Sequence, residues 1–385
     1  MSDDHLTAEE LTQLVQRVFE PRPEDHALAV IVDLPDDDVP DTPGWRQRRT
    51  LAAGWVRELA GVRSDHGLEV SLFLYPNVHS NNADLPTIAW RWNDGTVPEH
   101  VQDMTGRLEE SMDRVLSSHP LVIAPTQFST TAPLKMMAPR LGFRAATMPG
   151  FSSAMVPALR LDYTEINRRV WLLKRLLDGC IGADFDFVVD ASVSYALHLD
   201  LRHRAAHASG GLLREPGTAG NLPSGEAYIV PYEGEIPGDP TASQGELPVQ
   251  MGNEVVLFRV ASNRAQAVLS AGPVSRAQGE LLSREPAVGN LAELGLGVLA
   301  DFGVEPVGEV LLDEKLGLHI AFGRSEHFGG QVGPGDFSSP AAVVHQDHVY
   351  IPAMQPRVQV LTADLLDVDR RRTPLMRDGR YVVPF

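Results

Sequence analysis

Residues 27–34, ALAVIVDL, form a nearly unbroken apolar run rich in β-branched side chains. A strand with this pattern has no polar face. It has to be covered on both sides, as in a parallel sheet flanked by helices. The neighbouring sequence supplies such helices. In LTAEELTQLVQRVFEP, Thr7 and Glu10 make a capping-box pattern, and Leu11, Leu14, Val18 and Phe19 make a helical stripe. Helical spacing returns over 44–62 and again over 97–118, with a strand at 68–76 between them. HPLVIAPTQFS (119–129) reads as a third strand running into a polar loop. YTEINRRVWLLKRLLDG (163–179) is amphipathic with its basic residues on a solvated face, and DFDFVVDAS is a further strand. Strands and helices thus alternate to about residue 195, which predicts an α/β N-terminal domain with a mostly parallel sheet. Ligands of such sheets sit beyond the carboxyl ends of the strands. No GxGxxG or GxxxxGK[ST] stands at a strand-to-helix turn, so a nucleotide site has no local support.

From about residue 196 the helical spacing fades. EAYIVPYEG, NEVVLFRVAS, AQAVLSAG, LGLHIAFG, AAVVHQDHVYIP, RVQVLTADLL and RYVVPF are short β-like runs separated by Gly and Pro. They predict a β-rich (α+β) C-terminal domain, with domains at 1–195 and 196–385. The segment from Pro231 to Pro248 reads as a long surface loop. Two domains also suit 385 residues, which exceed one ordinary core.

The net charge of −18 argues against nucleic acid or an anionic membrane as partner, since both attract basic surfaces. The single cysteine, Cys180, rules out an intramolecular disulfide and a cysteine-based zinc site, and it reads as a buried thiol at a helix end. MSDDHLTAEEL has no apolar core of a secretory signal, and no apolar run approaches a membrane span. The expectation is a cytoplasmic protein acting on a small peptide or other small molecule.

Chemistry concentrates between Asn290 and Asp347. This stretch holds Glu293, Glu314, His319, His327, His345 and Asp347, and NLPSGE adds Glu226 upstream. Four of the thirteen histidines lie between 319 and 348, where even spacing would put about one. Carboxylates mixed with imidazoles suit divalent metals such as Zn, Mn, Co or Fe(II). His345 and Asp347, at i and i+2 of an expected strand, point to the same face and can share one ion or two adjacent ions. Glu293 precedes Leu-Gly-Leu-Gly, where glycines allow close backbone approach.

NLPSGE, ELGLG, EKLGLHIAFG and HQD, in this order, resemble the aminopeptidase T and aminopeptidase S family of metallopeptidases. The similarity runs from LDYTEINRR (161–169) to about residue 350, with an earlier echo in LGFRAATMPG. The resemblance implies a dimeric exopeptidase with two divalent metal ions (Zn, Co or Mn) in a β-rich C-terminal domain. It implies Glu226, Glu293, Glu314, His319, His345 and Asp347 as metal ligands, with Glu226 and Glu293 as catalytic carboxylates. One departure matters. The tyrosine that the family carries seven residues after the histidine of EKLGLHIAFG is Glu326 here. Glu326, His327 and Tyr350 are therefore candidates for a proton donor or substrate contact. The related 2,5-dihydroxypyridine dioxygenases offer a second expectation, one Fe(II) held by His319, His345 and Asp347. A non-catalytic binding protein is the third.

Overall fold

The computed structural model describes residues 4–385 and divides into two compact units. The first unit runs to Asn167 and takes back Gly211–Ser224 and Val307–Leu312. Its seven-stranded sheet follows the spatial order Thr218–Asn221, Arg144–Thr147, Leu121–Ala124, Ala27–Leu34, Glu69–Pro76, Ile88–Trp92, Glu110–Ser111. The first five are mutually parallel and the last two pair antiparallel. Ala27–Leu34 is buried at every residue, as its composition requires. Thr7 and Glu10 form the capping box that starts helix Ala8–Phe19.

The expected helix over 97–118 is only partly formed. Val101–Met104 is a 3-10 turn, and helix begins again only at Met112. Gly106 sits between them at φ 79°, a left-handed conformation that ends helical spacing. Helix Thr131–Leu141 has no counterpart in the sequence reading.

The second unit holds Arg168–Gly210, Gly225–Pro306 and Asp313–Phe385. Gly182–Val189 belongs here and not in the parallel sheet. It forms a hairpin with Val193–Asp200 across Asp190 and Ala191, both at positive φ. So short a link permits only antiparallel pairing. The two strands sit in an eight-stranded antiparallel sheet with Gln244–Met251, Glu254–Ala261, Arg264–Val268, Val358–Leu366, Arg372–Arg377 and Arg380–Tyr381. Strand Gln244–Met251 starts inside the segment read as a surface loop, and Tyr232 in that segment is buried. Helix Pro273–Arg284 is a further element not expected from the sequence.

A second sheet of this unit carries the chemistry. Its five antiparallel strands are, in spatial order, His345–Val349, Leu318–Gly323, Leu291–Gly297, Glu226–Ile229 and His207–Ser209. Side chains alternate across it. Ile320, Phe322 and His348 project to one face, where Phe322 meets Phe258 of the larger sheet with ring centroids 5.1 Å apart. Glu226, Glu293, His319, His345 and Asp347 alternate with these residues and fall on the other face. No helix among the described residues is long and apolar enough to cross a membrane.

Candidate metal centre

The period of two turns four separate sequence blocks into one cluster. Register sets Glu293 opposite Ala321, which is opposite Asp347. The next row runs Val349, His319, Gly295, Tyr228, His207 across all five strands. Gly295 leaves the room that the His319 ring fills. A Cβ at Gly295 would come within 2.6 Å of His319 Cδ2, with Nε2 and Cε1 nearer still. Gly297 likewise leaves room for the backbone of Lys315 and Gly317.

Two groups of three ligand atoms converge, Glu226–Glu293–His319 and Glu293–His345–Asp347. Within each, the atoms lie within 4.8 Å of one another, and Glu293 is common to both. His319 Nε2 is 3.4 Å from Glu293 Oε1 and 3.6 Å from Glu226 Oε2. His345 Nε2 is 3.4 Å from Glu293 Oε2 and 3.5 Å from Asp347 Oδ1. The far nitrogen of each ring is also fixed. Nδ1 of His319 lies 3.1 Å from the Gly317 carbonyl, and Nδ1 of His345 lies 2.8 Å from the Arg324 carbonyl. A proton on Nδ1 is therefore donated to backbone, and the Nε2 proton faces the carboxylates; loss of that proton to a metal leaves the Nδ1–H tautomer. Metal-ligating histidines adopt this tautomer. Glu226 Oε2 is buried without a hydrogen-bond partner, an arrangement that favours a cation.

Glu314 belongs to neither trio. Its carboxylate is bound by Lys315, a fully buried ammonium that also lies 3.4 Å from Glu226 Oε1. Lys315 is the residue most conspicuously missed from sequence. A lysine inside EKLGLHIAFG has no signal of its own beside six acids and imidazoles. The site therefore contains four carboxylates and one ammonium.

Burial disfavours the imidazolium of His319, but Glu293, Asp347 and Glu226 outweigh it and hold its pKa at about 10. His345 is raised for the same reason, with Asp347 and Glu293 overcoming burial. Burial raises Glu314, and Glu226 and Asp347 add to it against Lys315, giving about 8. Burial opposes the charge on Lys315 as well, yet Glu226 and Glu314 hold its pKa above the ordinary value.

The three candidate donors fare differently. Glu326 is held by Arg324 through two hydrogen bonds of 2.6 Å each, with its side chain 37% exposed. Tyr350 is buried, donates to the Pro248 carbonyl at 3.0 Å and packs on Phe187 of the larger sheet. Its phenol is thereby turned away from the cluster. Only His327 stands at the cluster, its ring centroid 5.4 Å from that of His345. Burial and the nearby charges of His345 and Arg324 push it down to about 4, so it is neutral near pH 7. Glu233, also missed from sequence, accepts from Asn290 at 2.7 Å and Ser325 at 2.6 Å, which fastens the loop behind His345 to the start of the Glu293 strand.

No protein-family model matches the chain, and no curated protein sequence does either. Solved structures that match over nearly the whole length include these two. The 2,5-dihydroxypyridine dioxygenase from Pseudomonas putida KT2440 aligns at TM-score 0.60 and 15% identity, covering 98% of this chain and 99% of its own. AmpT from Thermus thermophilus aligns at TM-score 0.55 and 17% identity, with the same two coverages. The chain shares its fold with both. At these identities the likeness extends to the fold alone.

Proposed function

We propose that the protein is a metal-dependent hydrolase, an aminopeptidase that removes N-terminal residues from small peptides at a two-metal centre. One observation carries this reading: two ligand-sized trios share Glu293. Glu226, Glu293 and His319 would hold one divalent ion, Zn, Co or Mn, and Glu293, His345 and Asp347 the other. When bound, such ions supply Lewis acidity, lowering the pKa of water toward neutrality and polarising a carbonyl. The chain's own residues do the rest. His319 and His345 are oriented through Nδ1 by the Gly317 and Arg324 carbonyls. Glu314 is the most open of the four carboxylates at 17% side-chain exposure, and it stands outside both trios. It is the group left to take a proton from water and return it to the leaving amine. Lys315 fixes Glu314 beside Glu226. The fold shared with AmpT supports the same reading.

A second reading has its own observation. Nε2 of His319 and of His345 both approach Asp347 Oδ1, at 4.0 and 3.5 Å. Two histidines and one carboxylate suit a single Fe(II) and ring-cleaving oxygenation. Metal content per chain, measured on protein purified with and without air, separates the two readings. About two equivalents of Zn, Co or Mn with release of anilide from aminoacyl-anilides supports the hydrolase. One equivalent of iron that is lost or oxidised in air favours the oxygenase. A folded protein with no metal under either condition refutes both.

A further inference from the structure

The row of the sheet that carries His319 continues over Gly295 to Tyr228. Tyr228 is also two residues beyond Glu226 in one strand, so its ring and that carboxylate leave the sheet on the same side. With no side chain at Gly295, nothing in the row separates the Tyr228 ring from the His319 imidazole that lies over the glycine.

The ring is clamped. His207 stacks on it with centroids 5.0 Å apart and planes 21° apart, and Phe328 meets it at 4.9 Å and 62°. His207 Nε2 in turn lies 3.1 Å from the Phe328 carbonyl, which ties the two flanking rings together. The direction of the phenol is therefore fixed by packing and not by its hydroxyl.

The hydroxyl differs from those of most of the buried tyrosines, Tyr75 of the first unit being another without a partner. Tyr163, Tyr232, Tyr350 and Tyr381 each donate to a backbone carbonyl. Tyr228 is only 8% exposed, yet its hydroxyl donates to no group among the described residues. The charges of Glu293, Glu226 and Glu314 reach this phenol, so its surroundings are the carboxylate cluster itself. A phenol that is held rigidly on the metal face, with its donor unspent, is poised for something that arrives there.

We propose that the Tyr228 hydroxyl is a catalytic hydrogen-bond donor to the substrate carbonyl oxygen, strengthening as that oxygen becomes an oxyanion. The inference rests on the hydrolase reading. As the water oxygen bonds to the carbonyl carbon, the π pair moves onto the carbonyl oxygen and Tyr228 meets the new charge. The proton lost by water passes to Glu314. The C–N bond then breaks with re-formation of C=O, and the leaving amine carries that proton away. Preorganised donors of this kind act on the transition state more than on the bound substrate.

The test is Tyr228→Phe on the full, metal-loaded chain. The substitution keeps the ring stack and removes a hydroxyl that makes no hydrogen bond among the described residues, so metal content and thermal unfolding should match the wild type. Two ligands are titrated by calorimetry, the phosphonic acid analogue of leucine, with anionic oxygens on a tetrahedral centre, and leucinol, which lacks them. The variant should bind the phosphonate about 10- to 100-fold more weakly and leucinol within about two-fold of wild type. On a leucyl-anilide, kcat should fall about 100-fold with KM nearly unchanged, the signature of an interaction made in the transition state. Equal phosphonate affinity in the two proteins, or none in either, overturns the inference. A wild type that holds two metals but leaves the anilide intact defeats the hydrolase reading separately, and the phosphonate titration still judges Tyr228.

Discussion

Gly295→Ala isolates one half of the proposed centre without substituting a ligand. The new methyl would meet the His319 ring, within 2.6 Å of Cδ2 and closer to Nε2 and Cε1. Non-bonded carbons settle at about 3.5–4.0 Å, so even the farthest of these atoms has to retreat by about 1 Å. The ring has little room to do so. His319 is 1% exposed, and its Nδ1 is tied to the Gly317 carbonyl. Metal–ligand distances tolerate only about ±0.2 Å, so a displacement of this size removes His319 from the Glu226–Glu293–His319 trio. The Glu293–His345–Asp347 trio does not include His319 and should survive. Outer-sphere changes typically cost 10- to 100-fold in metal affinity, so displacing a ligand should cost the first site more than about 100-fold. Overpacking should also lower stability by about 1–3 kcal/mol. Elemental analysis after dialysis, with a competing chromophoric chelator, should find about one equivalent where the wild type holds about two. A Gly295→Ala protein that keeps both equivalents at wild-type affinity would show that the His319 ring is not where the metal binds.

The other expectations concern the remaining groups. Glu293→Gln should abolish activity and weaken both metal sites together, because Glu293 is shared; loss of one equivalent only, read by the same chelator competition, would contradict the sharing. Glu314→Gln should keep the metal content and lose kcat if Glu314 moves the proton, whereas a ligand role would lower metal content first. In protein stripped by chelator, His319 and Glu314 both have raised pKa values, about 10 and about 8. Each then binds more protons folded than unfolded between its ordinary and its raised pKa, so thermal stability should fall as pH rises from 7 toward 10. Metal loading at pH 7 should accordingly release protons from His319 and His345, seen as a buffer-dependent calorimetric enthalpy; an enthalpy independent of buffer would refute it. Glu326→Gln removes an exposed pair with Arg324 and should change stability by less than about 1 kcal/mol and leave kcat and KM unchanged.

Much of the geometry of the candidate site was legible because period-two alternation is a local property. His319 between Leu318 and Ile320, and Asp347 between Gln346 and His348, announce their face from sequence alone. Strands Glu226–Ile229, Leu318–Gly323 and His345–Val349 were legible as short β-like runs, whereas Leu291–Gly297 and His207–Ser209 of the same sheet were not. Which strands pair was not legible. DFDFVVDAS reads the same in a parallel or an antiparallel sheet, and the decision lies in the positive φ of Asp190 and Ala191. Lys315 was invisible because a lysine advertises nothing until the fold buries it between Glu226 and Glu314. Tyr350 was misleading in the opposite sense. It follows the HQD block closely, but the chain has left the strand at Val349, and its side chain turns to Phe187 and Pro248.

Lys315 also bears on the number of metals. Glu226, Glu293, Glu314 and Asp347 contribute four negative charges, and Lys315 cancels one of them. Buried charge without a counter-charge is costly, so the cluster should be close to neutral in its working state. A single dication held by His319, His345 and Asp347 would leave one negative charge uncompensated and Glu226 Oε2 still without a partner. Protonating Glu314, whose pKa of about 8 permits it, would remove the charge but not the orphaned oxygen. Two dications reverse the imbalance to a single positive charge, which one anionic oxygen from water or substrate neutralises. They also give Glu226 Oε2 the partner it lacks. The neutralising group would then be the reacting oxygen itself, and in that arrangement Glu314 as the proposed proton acceptor and Tyr228 as the proposed hydrogen-bond donor would both face a charge that the chemistry creates.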